Sequence, residues 1–187
     1  MERSTSSTAV RRNVEIKAHC PDPQQVASRL RKANARYIGL DEQRDTYFKV
    51  EDGRLKLREG TIENALIYYR RTDESGPKLS DVRIYRNSEL ADLREVLLAG
   101  LAVDVVVDKS RHIYFLDNVK IHLDTVPVLG HFVEVEAIDP AGTGNLEQLR
   151  RQCQQVMEVL NVRPGQLVST SYSDLLRSRR DAPRWEF

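Results

Sequence analysis

The chain has 187 residues, of which 40% are apolar and 30% charged, with a formal net charge of +1. That length suits one domain with its own core, and that balance excludes a disordered chain. No stretch approaches the roughly 18 apolar residues of a membrane helix, since the greasiest run, Leu101 to Val107, is broken by Asp104.

The N-terminus carries no apolar segment ahead of a small-residue cleavage site, so a cytoplasmic protein is expected. Cys20 and Cys153 are expected as separate buried thiols, and no Cys/His spacing fits zinc. Residues 1–11 read as a flexible arm, 12–176 as the folded domain and 177–187 as a tail.

Asn13 to Cys20 alternates strictly, with Val14, Ile16 and Ala18 on one side and Asn13, Glu15, Lys17 and His19 on the other, which predicts a strand. Asp22 followed by Pro23 predicts a helix start, and Val26, Ala27, Leu30 and Ala33 continue one apolar face. Thr46–Val50 and Arg54–Glu59 flank Asp52-Gly53, a hairpin signal. Ala65–Arg71 and Val82–Asn87 are two further strands. Glu89–Ala99 reads as a helix with Ser88 as its cap and Gly100 as its stop. Strands at Val103–Lys109, Arg111–Leu116, Val119–Val126 and His131–Asp139 follow, then a helix at Leu146–Leu160 and a closing segment around Tyr172–Leu176. About eight strands without βαβ spacing predict an α+β fold with a mostly antiparallel sheet.

Charges two residues apart share a strand face: Lys56/Arg58, Lys109/Arg111, Lys120/His122/Asp124 and Glu134/Glu136. The opposite faces, such as Leu55/Leu57 and Val133/Val135, are apolar. A sandwich would turn the charged faces to solvent. The helices also carry apolar stripes, however. If they cover the apolar faces from outside, the sheet closes into a barrel whose interior is charged. Inward candidates are then Lys17, Lys56, Arg58, Arg71, Arg83, Lys109, Arg111 and Lys120, with Glu15, Asp124, Glu134 and Glu136. Crowded cations call for a polyanion such as a triphosphate, and carboxylates beside it for a hard cation such as Mg²⁺ or Mn²⁺. A network of internal salt bridges without a ligand is the structural alternative.

At Asn13-Val14-Glu15-Ile16-Lys17 the sequence resembles the CYTH superfamily of triphosphate tunnel metalloenzymes. Its signature Glu-x-Glu-x-Lys is met by Glu15 and Lys17, with Asn13 in place of the first Glu. Asp45-Thr46-Tyr47-Phe48 with Gly53-Arg54-Leu55-Lys56-Leu57-Arg58, then Arg71, Arg83 and Lys109-Ser110-Arg111, resemble the family's phosphate-binding positions. His122-Leu123-Asp124, Glu134-Val135-Glu136 and Ser171-Tyr172-Ser173-Asp174 resemble its late strands and closing segment. The resemblance spans roughly residues 12 to 176 and is nearest to proteins labelled CyaB-like or class IV adenylate cyclase, in a family that also includes inorganic and nucleoside or thiamine triphosphatases.

That resemblance implies a closed eight-stranded tunnel with helices outside, and a homodimer by analogy with relatives. It implies Glu15, Glu134, Glu136 and Asp124 as metal ligands and catalytic residues beside Lys17, with Lys56, Arg58, Arg71, Arg83, Lys109, Arg111 and Lys120 on the phosphates. Asp124 has the alternative role of orienting Lys120 or an arginine. Among the histidines only His122 shares the interior face, whereas Tyr47, Tyr69 and Tyr172 read as packing residues with tethered hydroxyls. The expected function is metal-dependent hydrolysis of a triphosphate, inorganic, nucleoside or thiamine. A cyclase forming cyclic AMP and pyrophosphate from ATP is the second reading, and a non-catalytic polyphosphate-binding module the third. Neither a nucleic-acid nor a membrane partner is expected.

Overall fold

The computed structural model describes residues 11–71, 74, 76–139 and 145–180. Residues 1–10 of the expected arm and 181–187 of the expected tail lie outside the described residues. The strands are β1 (Arg11–His19), β2 (Arg36–Phe48), β3 (Arg54–Gly60), β4 (Ala65–Arg71), β5 (Lys78–Arg86), β6 (Val103–Leu116), β7 (Val119–Val126) and β8 (Gly130–Ile138). They pair antiparallel in the closed order β1-β5-β4-β3-β2-β6-β7-β8, with β8 returning to β1. The helices are α1 (Pro23–Lys32), α2 (Ala91–Gly100), α3 (Leu146–Leu160) and α4 (Tyr172–Arg180).

The largest apolar core lies outside the barrel. Val14, Ile16 and Ala18 of β1, Ile121 and Leu123 of β7, and Val133, Val135 and Ala137 of β8 join Leu30 of α1 and Leu149, Cys153, Val156 and Leu160 of α3. These strand residues have the parity opposite to Glu15, Lys17, Glu134 and Glu136, so covering them from outside turns the charges inward. On the far side, Leu93 and Leu97 of α2 cover Phe48 and Leu57.

The start of α1 follows its sequence signal, and α3 has a side-chain cap of the same kind. The Asp22 carboxylate accepts from the Gln25 N–H at 2.9 Å, and Asn145 accepts from the Glu147 N–H at 3.0 Å. Helix α2 departs from expectation. It begins at Ala91 after Leu90, with no side-chain cap, and includes Gly100. Leu90 is buried against Phe48 and Leu57, so packing rather than Ser88 sets the entry.

Three strands also differ from the sequence reading. β2 starts ten residues earlier than Thr46, at Arg36; a register shift between Tyr37 and Gly39 and the polar character of its buried Asp41, Gln43 and Asp45 leave its first half without apolar alternation. β5 begins at Lys78 rather than Val82. β6 runs unbroken through Ser110, joining two segments read as separate strands.

One end of the barrel has an apolar floor. Inward-facing Tyr47, Val105, Val107, Val126 and Phe132 gather with Tyr172, Leu175 and Leu176 of α4. Arg54 fixes that helix through Asp174 at 2.9 Å, and Lys78 donates to the Ser169 carbonyl at 2.7 Å just before it. The cavity above this floor opens near Arg11, Ile62, Arg86 and Asn87.

Candidate functional site

The cavity has a volume of about 500 Å³, within the range of pockets that take small organic molecules. Glu15, Lys17, Lys56, Arg58, Arg71, Lys109, Arg111, Lys120, His122, Glu134 and Glu136 all line it. Alternation along each strand and closure of the sheet bring these residues together from six strands.

Arg83 does not belong to this set. It is exposed on the outer face of β5, where Ser80, Val82 and Ile84 face inward. At the level of Val82 and Ile84 the inward face of this strand is apolar, so the expectation that its charged positions point inward fails there.

Asp45 is the hub of the basic side, a role the sequence reading did not give it. Buried on β2, it accepts from Lys56 at 2.9 Å, Arg58 Nε at 2.8 Å and Lys109 at 2.6 Å. These cations hold its carboxyl well below the usual range despite the opposing effect of burial. Burial, with Arg58, Arg111 and Lys56 nearby, pushes the Lys109 ammonium down to about 7 against the pull of Asp45. Register was the available signal. Asp45 stands directly opposite Arg58 across the hairpin whose turn is Asp52-Gly53.

Glu63 was also missed. It sits in the turn between β3 and β4, which Asp41 builds by accepting from the Ile62 N–H at 2.7 Å and the Glu63 N–H at 3.0 Å. Gly60 permits this approach, because a Cβ there would meet Asp41 Oδ1 at 2.6 Å. From the turn, Glu63 reaches Arg58 at 3.2 Å and pairs with Lys120. No strand periodicity marks such a residue.

Two residues beyond Lys109 on β6, Arg111 grips Asp124 through two bonds of 2.7 and 2.5 Å and reaches Glu134 at 2.7 Å. The Tyr172 hydroxyl donates to Asp124 at 2.7 Å. Asp124 therefore holds Arg111, the orienting alternative, and is absent from the cavity lining. Glu134 also pairs with Lys17 at 3.3 Å, and the Lys17 ammonium lies 3.7 Å from the centre of the Tyr172 ring. Arg71 pairs with Glu15. Burial and the Arg111 charge push His122 down to about 4, leaving it neutral, and its Nδ1 lies 3.4 Å from Glu134 without hydrogen-bond alignment. Burial raises the thiols of Cys20 to about 11 and Cys153 to about 12, which makes both poor nucleophiles.

The acids fit a hard cation in kind. Glu15 and Glu136 are register partners across β1 and β8, and Glu134 is two residues further along. Burial, then crowding by Glu15, Glu134 and Glu63 against the pull of Lys120, raises the Glu136 carboxyl. Their arrangement is not that of a formed metal centre. Among the described residues no three His, Cys, Asp or Glu side chains gather closely enough to hold an ion.

Residues 11–172 match the CYTH domain. The chain belongs to that family. It is 23% identical over 178 residues to a protein of Methanocaldococcus jannaschii described as a candidate adenylate cyclase, covering 87% of this chain and 97% of that one. A solved structure from Pyrococcus horikoshii superposes with a TM-score of 0.76 at 23% identity, covering 87% of this chain and 98% of the other. A candidate adenylate cyclase from Vibrio parahaemolyticus gives 0.73 at 17% identity, covering 88% and 97%. The two solved structures share the fold of this chain. Among the described residues no helix is long and apolar enough to cross a membrane.

Proposed function

We propose that this CYTH protein hydrolyses the terminal phosphoanhydride bond of a triphosphate with the help of a divalent cation. The observation that carries the reading is the convergence of basic side chains from separate strands on one enclosed cavity, three of them meeting at Asp45. A bound polyphosphate offers Lys56, Arg58 and Lys109 oxygens in exchange for that carboxylate, while Asp124 keeps the Arg111 fork aimed inward. Water attacks the terminal phosphorus, the bridging P–O bond breaks, and the arginine and lysine charges stabilise the transferred group and the departing diphosphate.

Glu15, Glu134 and Glu136 would hold Mg²⁺ or Mn²⁺, with oxygen ligands alone as such ions prefer. When bound, the ion would neutralise phosphate charge beside these acids. Asn13 donates to Glu136, so the residue replacing the family's first Glu orients a neighbouring carboxylate. A solved structure from Hippeastrum, a candidate adenylyl cyclase whose description reports a dominant triphosphatase activity, supplies a precedent for hydrolysis in this fold (TM-score 0.61, 10% identity).

The test incubates the full chain with tripolyphosphate, thiamine triphosphate and ATP, with and without Mg²⁺ or Mn²⁺. Release of orthophosphate with a cation supports hydrolysis. Pyrophosphate with cyclic AMP from ATP would establish the cyclase reading instead, and tight binding without turnover the non-catalytic one.

A further inference from the structure

The cavity is divided. Its mouth carries Arg11 and Arg86, and one wall below them carries Ile62, Ala65, Ile67, Val82, Ile84 and Ile138. Ile67 and Ile84 are direct register partners between β4 and β5, and Ala65 and Val82 join them in one apolar cluster. The wall meets the charged half where Asn13 stands opposite Ser80 across β1 and β5. Both residues are buried, and Asn13 Oδ1 and Ser80 Oγ have no hydrogen-bond partner among the described residues. An aliphatic surface inside a wet, charged cavity does nothing for an inorganic phosphate chain. It gains only when an apolar group covers it.

The chemistry of the rim narrows that group. A base left with unpaired polar edges is expensive to bury, and the two rim amides that could pair with one are committed elsewhere. The Asn64 amide is spent on both backbone groups of Gly60, at 2.9 and 3.1 Å. Asn87 is tied to the Tyr85 hydroxyl at 3.3 Å and the Glu89 N–H at 3.0 Å. Of the lining tyrosines, Tyr47 and Tyr172 belong to the floor and Tyr69 packs against the aliphatic cluster. The Lys56 ammonium lies 5.4 Å from the centre of the Tyr47 ring and 5.8 Å from that of Tyr69, so these faces already serve a cation.

We infer that the substrate is a polyphosphate ester of an aliphatic alcohol, its alkyl chain lying on the Ile67–Ile84 wall while its phosphates enter the basic half. This rests on the phosphate-binding reading and adds the class of organic group. Asn13 and Ser80, at the boundary, face the ester end of the phosphate chain.

The experiment measures binding of matched ligands to the full chain with Mg²⁺ by calorimetry: pyrophosphate, tripolyphosphate, a five-carbon branched alkyl diphosphate and adenosine diphosphate. The alkyl ester should bind roughly tenfold or more tightly than pyrophosphate, given the area it buries. The adenosine ester should gain nothing. Ile84→Asn, and the gentler Ile67→Ala should the first fold poorly, should lose the alkyl gain while keeping the affinity for pyrophosphate. An equal gain from adenosine, or none from the alkyl chain, overturns the inference and leaves the phosphate site standing. Failure of pyrophosphate and tripolyphosphate to bind at all removes both.

Discussion

Three cations share the Asp45 carboxylate, and that contact makes opposite demands on stability and on binding. Removing the charge while keeping the shape, as in Asp45→Asn, strands Lys56, Arg58 and Lys109 together and should cost about 3–5 kcal/mol of folding stability. The same change removes the internal competitor for a polyanion, so tripolyphosphate should bind more tightly and restore most of the lost melting temperature. Melting curves with and without the ligand check both effects. Because the folded carboxyl is depressed, its stabilisation is present above the ordinary aspartate range and fades as pH falls toward the folded value. Asp45→Asn should therefore flatten the acid side of the stability profile.

Lys109 gives a second pH dependence with the other sign. Its ammonium, pushed down to about 7, loses charge as pH rises, whereas phosphate oxygens favour the charged form. Tripolyphosphate affinity should fall as pH climbs through about 7 to 9, and binding there should take up a proton. Calorimetry in two buffers of different ionisation enthalpy measures that uptake. Lys109→Arg should abolish it, since guanidinium stays charged throughout.

Among the elements, α3 separates the apolar core from the site most cleanly. Leu149 and Leu160 are buried on the outer faces of β1, β7 and β8 and touch nothing in the cavity. Leu149→Ala should cost about 2–5 kcal/mol of stability and leave tripolyphosphate affinity unchanged, measured by denaturant melts and by calorimetry below the transition. A parallel loss of affinity would mean that the two faces are not independent.

That independence is also what made much of the fold legible. Strict alternation in Val14-Glu15-Ile16-Lys17 and Val133-Glu134-Val135-Glu136, combined with apolar helix stripes, leads to a barrel with charges inside. Asp45 and Glu63 needed register and turn geometry, which periodicity does not carry. Arg83 went astray because β5 turns Val82 and Ile84 inward, a local reversal that becomes visible only when the neighbouring Ile67 is seen across the ladder. The first half of β2 was hidden by its bulge and by polar inward residues, Asp41 and Gln43.

For the molecule as a whole, folding and binding draw on the same charges. Lys17, Lys56, Arg58, Arg71, Lys109, Arg111 and Lys120 each already have a carboxylate partner, so a polyphosphate displaces existing contacts rather than filling a bare basic hole. Glu134 and Glu136 separate the two contributions. Glu134 holds Lys17 and Arg111 together, and Glu134→Gln should cost on the order of 1.5–3 kcal/mol in the free protein. Burial, and after it the neighbouring acids, raise the Glu136 carboxyl, so Glu136→Gln should leave the free protein as stable as before or more so. If both acids serve the cation, both variants should lose the extra stabilisation that Mg²⁺ adds to tripolyphosphate. In the parent protein a saturated ligand at a hundredfold excess over Kd should add about 2.7 kcal/mol. Glu51→Gln, at an exposed position beside the Asp52-Gly53 turn, is the control. The measurement is a set of melting curves for the four proteins, free, with tripolyphosphate, and with tripolyphosphate plus Mg²⁺. Should the cation add as much stability to both site variants as to the control, the metal does not lie at these carboxylates, and the charge that balances the phosphates must come from the arginines and lysines alone.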